Sequence, residues 1–89
     1  MPAIQNRELK ATSKGDGRVA LTWRLLDSEV PDTPFFIEYM VNGTWRFPIE
    51  EPAVGTTTEF TVDAKGPQQF RVIAPDGTPS ETATVDAFA

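Results

Sequence analysis

Cysteine and histidine are both absent from the 89 residues. Without cysteine, the chain cannot use the disulfides by which many small secreted domains compensate for a thin core. Without either residue, Ser–His–Asp and Cys–His nucleophilic sites are excluded, and so are the usual zinc ligands. Positive charge is scarce: eight Lys and Arg stand against thirteen Asp and Glu, a net charge of -5. The eight are scattered from Arg7 to Arg71. Nucleic-acid binding needs a positive footprint and is not expected. No apolar run approaches the ~20 residues of a membrane helix, so no membrane partner is expected. The opening MPAIQNRELK has no basic segment leading into an apolar one, and no signal peptide is expected. The expectation is a short reading frame made in the cytoplasm, or a secreted module if the chain is excised from a longer one.

Carboxylates are the remaining candidates for chemistry. Glu50-Glu51 is the only adjacent pair, and neighbours on an extended chain point to opposite faces. A glycosidase needs two carboxylates facing one another across a cleft, about 5–10 Å apart. Calcium needs several oxygens converging from one loop, whereas SKGDGR and PDGT each hold a single Asp beside Gly. No catalytic residue, metal site or cofactor is expected, and the protein is not expected to be an enzyme.

What the chain does have is period-2 alternation, broken by Gly, Pro, Asn and Asp every 8–12 residues or so, as in an all-β sandwich. One domain over residues 1–89 is expected, with six Phe, two Trp and one Tyr to anchor a single core. Seven strands are expected, at residues 3–12, 18–25, 35–41, 44–48, 56–64, 68–74 and 81–88. RVALTWRL is the clearest, with Val19, Leu21, Trp23 and Leu25 on one face. Asn42-Gly43 ends the third strand in a tight hairpin, because both central residues of a type I′ turn need positive φ. Pro48 and Pro52 make the returning strand an edge. Asn42-Gly43-Thr44 also fits an N-glycosylation pattern, and Lys14-Gly15-Asp16 an integrin-type tripeptide; turn formation accounts for both.

The stretch FFIEYMVNGTW carries large apolar residues on both faces of one strand. If Ile37 and Tyr39 join Trp23, Phe70 and Val72 in the core, Phe36 and Met40 face outward. Ile73 on the sixth strand can lie beside them, with Trp45 at the border. A contiguous exposed patch of this kind marks an interaction site, while single exposed hydrophobes do not. The alternatives are that loops cover the patch, or that it never becomes contiguous. Trp45 either covers the open end of the sandwich or offers a flat platform to a sugar. The candidate partner-binding residues are therefore Phe36, Met40, Ile73 and Trp45. Their candidate partners are another protein, a second copy of the chain, or a glycan.

Together, GRVALTW, FFIEY, FTV, QFRVIAPDGTPSE and ATV resemble a fibronectin type III (immunoglobulin-like) domain over residues 15–88. The resemblance implies a seven-stranded, two-sheet Greek-key sandwich with Trp23, Phe35-Ile37-Tyr39 and Phe70-Val72-Ala74 at the family's core positions. It also implies a tyrosine two residues before Phe70, tying the preceding loop to the backbone. Gln68 stands there instead, so that corner is either absent or rebuilt by a side-chain amide. LTWRLLDSEVPDTPFFIEY is similar to the fibronectin-like modules of bacterial rhamnogalacturonan lyases. Domains of this type also decorate bacteriophage capsids and tails. The function expected is a structural binding module on a larger assembly, a virion capsid or tail above all. The alternative is a carbohydrate-associated accessory module of a secreted polysaccharide-degrading enzyme.

Overall fold

In a computed structural model that describes residues 4–88, alternation becomes strand wherever it was clearest. The strands are β1 (Lys10–Gly15), β2 (Arg18–Thr22), β3 (Pro34–Val41), β4 (Thr44–Arg46), β5 (Ala53–Val54), β6 (Thr57–Thr61), β7 (Pro67–Ile73) and β8 (Ala83–Asp86). They form two antiparallel sheets, one in the order β1-β2-β6, the other β4-β3-β7-β8 with β5 added to β3. The fold is an all-β, two-sheet sandwich. No helix among the described residues is long and apolar enough to cross a membrane.

Among the described residues eight strands form rather than seven. The additional one, β5, lacks any alternation; it forms because β3 extends past β4, leaving Pro34 and Phe35 to pair with Val54 and Ala53. The core is filled from both sheets by Val19, Leu21, Phe60 and Val62 on one side and Phe35, Ile37, Tyr39, Phe70 and Val72 on the other. Trp23 is buried and packs edge-on against Phe35, ring centroids 5.6 Å apart. Leu25 is only half-buried against this cluster.

The hairpin forms as its dipeptide requires. Asn42 and Gly43 have φ of 51° and 79°, and Val41 pairs with Thr44 across them. At the turn between β1 and β2, Gly17 has φ of 84°. Its N–H donates to the Ala87 carbonyl at 3.0 Å and its carbonyl accepts from Val62 N–H at 2.8 Å. A Cβ there would lie 2.5 Å from the Val62 oxygen and 2.8 Å from the Phe88 ring, so only glycine fits. At the entry to β7 the Gln68 amide nitrogen donates to the Lys65 carbonyl at 3.0 Å and to that of Gly66 at 3.3 Å, tying the preceding loop by a side-chain amide.

The start of the chain departs most from expectation. The first strand was expected over residues 3–12; residue 3 lies outside the described residues, and β1 begins only at Lys10. The segment before it bridges the two sheets instead. Gln5 exchanges backbone hydrogen bonds with Pro79 and Glu81, and Arg24 N–H donates to the Arg7 carbonyl. β2 stops at Thr22 rather than Leu25, although Trp23 N–H still donates to the Thr56 carbonyl at 2.9 Å. Arg7 itself is fully buried. Its guanidinium holds Glu29 by two bonds of 2.7 and 2.6 Å, Gln5 Oε1 at 2.7 Å and the Arg24 carbonyl at 3.2 Å, and lies 4.7 Å from the centroid of the Phe35 ring. The Glu81 carboxylate accepts the Arg7 and Leu9 N–H groups at 2.9 and 3.0 Å.

Candidate interaction surface

Because Ile37 and Tyr39 turn into the core, Phe36, Glu38 and Met40 share the outer face of β3. Register then sets their neighbours. Phe36 pairs with Ile73 and Glu38 with Arg71 on β7, while Met40 pairs with Trp45 on β4. All four residues singled out from the sequence thus stand on one outer face. They do not form one unbroken apolar patch.

The Glu38–Arg71 pair runs between the two apolar pairs. Arg71 Nε and Nη2 both reach Glu38 Oε1 at 2.8 Å. The Arg71 side chain continues across the face until its guanidinium lies 4.0 Å from the centroid of the Trp45 ring. Trp45 is therefore half-buried on the outer face and does not close the open end of the sandwich. A cation over an aromatic face gains attraction from the ring quadrupole, and more so when water is displaced.

Sequence reasoning missed three members of this surface. Phe47 packs edge-to-face on Phe36, centroids 6.1 Å apart. It is 57% exposed and Phe36 41%, so both rings are open on this face. Parity carried one residue past β4 would have found Phe47, which follows Trp45 by two residues. Glu38 and Arg71 could be joined only through the β3–β7 register, which no local signal announces.

Glu50 and Glu51 are both exposed between β4 and β5. Among the described residues, no group of three or more Asp, Glu, His or Cys could hold a metal ion. Three carboxyls sit below the ordinary range, each for a structural reason. Hydrogen bonds from Arg7 lower Glu29, and the Thr78 N–H lowers Asp76 in its turn. Burial pushes Glu81 up, but backbone N–H groups, led by those of Arg7 and Leu9, together hold it down. No family model and no curated protein matches the sequence.

Proposed function

We propose that this chain is a non-catalytic binding module that docks on a larger protein assembly through the outer face of the β4-β3-β7-β8 sheet. The observation that carries the reading is the pair of exposed rings, Phe36 and Phe47, in contact on that face. Adjacent exposed aromatics are anchors for a protein partner in a way that scattered ones are not. A fibronectin type III-like frame supports it. With the short β4 and β5 set aside, the order β1-β2-β6 against β3-β7-β8 agrees with the grouping of immunoglobulin-like sandwiches, which supports a Greek-key connection. Domains of that kind decorate bacteriophage capsids and tails, and a virion is the assembly we assign.

The test is co-sedimentation. The chain is expressed with the products of its neighbouring genes and the assembled particles are pelleted. Wild type should pellet with them and Phe36→Asp should stay in the supernatant, since an unpaired charge in a buried contact is costly. Equal pelleting of the two would remove the role of this face.

The second reading is a carbohydrate-associated module, for which Trp45 is the only aromatic platform on the face besides the two phenylalanines. The guanidinium of Arg71 over one side of its ring leaves a sugar at most the other side. Titration with rhamnogalacturonan oligosaccharides should leave the tryptophan emission unchanged if the protein-docking reading is right.

A further inference from the structure

Resting on that docking role, we infer that the neighbour this face meets within the assembly is a second copy of the same chain, packed sheet against sheet about a two-fold axis. The axis lies along the seam between β3 and β7, the two middle strands of the four that run β4-β3-β7-β8. A two-fold contact uses the same patch twice, so the patch must complement itself. Rotation about this seam sets Glu38 of one copy over Arg71 of the second, and Phe36 over Ile73. Both of these oppositions are favourable, unlike charge on unlike charge and apolar on apolar.

Charge balance points to a second copy rather than a foreign surface. The chain carries a net charge of -5, so two copies repel across most orientations. The middle of this face carries one positive and one negative group side by side, so it can meet itself without that penalty. The hydrogen bonding leaves room for the second contact. Both bonds from Arg71 fall on Glu38 Oε1. Oε2 takes no hydrogen bond among the described residues and is not among the enclosed unpaired atoms. The two side chains keep 16% and 24% of their surface open, enough to be reached and little enough to be desolvated by a modest contact. Phe36 and Phe47 then flank this central strip and are covered together.

Sedimentation equilibrium on wild type, Glu38→Arg, Arg71→Glu and an equimolar mixture of the two variants tests the inference. Wild type should dimerise. Each single reversal makes the strip all positive or all negative, and should weaken association by about tenfold or more. The mixture should restore it, because the positive strip then meets the negative one; recovery also shows that both variants are folded. The double variant Glu38→Arg/Arg71→Glu, which keeps a balanced strip, should dimerise as well. A wild type still monomeric at about 1 mM, the weak end of specific association, overturns the two-fold contact. So does a wild-type dimer that the mixture fails to reproduce. The docking role fails separately: a monomeric wild type that pellets with particles, and a Phe36→Asp chain that does not, leave that role standing without the dimer.

Discussion

Two arginine–glutamate pairs of nearly equal length occupy opposite extremes of this molecule. Arg7 and Glu29 meet at 2.6 Å where the chain start crosses from one sheet to the other, with the arginine enclosed. Arg18 and Glu59 meet at 2.7 Å on the outer face of the β1-β2-β6 sheet, each about half exposed. Distance does not separate them; the water each pair has given up does. On the open sheet, either charge left alone returns to solvent at little cost. At the crossing, Arg7 has surrendered its hydration to Gln5, Arg24, Glu29 and the Phe35 ring, and nothing else there can replace the anion. The same two side chains are therefore a clamp in one region and solvated decoration in the other.

The sharpest way to break this comparison is Glu29→Gln. It leaves the Arg7 charge buried without its counter-charge, a change that costs about 3–5 kcal/mol. For a domain of this size that approaches the whole margin of stability, and the urea midpoint should fall accordingly. A midpoint close to wild type would mean that water reaches Arg7 and that the clamp is no clamp. Acid should loosen the same region. Glu29 and Glu81 both titrate below their ordinary value of 4.5 when folded, so the unfolded chain takes up protons first. Their stabilisation is full above that pH and is lost as pH falls through the lower folded-state values. Thermal unfolding followed from pH 7 to pH 3 should show the loss begin near 4.5, and Glu81→Gln should make it shallower.

The Glu38–Arg71 pair lies between the extremes, half-buried on the aromatic face, and its rupture should be intermediate. Glu38→Gln is expected to cost about 1 kcal/mol in the isolated chain. Part of that loss should come through Trp45, over which the guanidinium is held, and a shift in tryptophan emission would report its release. A cost as large as that of Glu29→Gln would show that this face is already as dry as the core.

Where one segment carries its own instructions, the sequence was sufficient. Val19, Leu21 and Trp23 face inward because they alternate, and Asn42-Gly43 turns because no other pair accepts both φ values so readily. The aromatic face was half legible for the same reason: parity within FFIEYMV placed Phe36 and Met40 outside, and register with β7 brought Ile73 beside Phe36. The ion pair dividing that face was not legible, since Glu38 and Arg71 look like two unrelated solvent charges until the strands are aligned. Arg7 was wholly hidden. Nothing in QNRELKA marks a buried arginine, because residues 5, 24 and 29 enclose its side chain only after folding. Glu81 meanwhile holds its backbone from the far end of the chain. The short β5 escaped on similar grounds, being made by a partner strand that overran its hairpin.

The smallest expected effect tests the other end of the comparison. Arg18→Ala should change stability by no more than about 0.5 kcal/mol, although its 2.7 Å contact with Glu59 is as short as those of the clamp. Two long side chains must be held in one geometry to make that contact, and the entropy lost offsets much of the attraction in water. A double-mutant cycle with Glu59→Ala isolates the pair from the separate effects of each truncation. Its coupling should be a few tenths of a kcal/mol at low salt and should fade as salt screens the charges. Coupling that persisted in salt would place the pair in a dry contact, and the outer face of the β1-β2-β6 sheet would then join the aromatic face as a candidate contact surface.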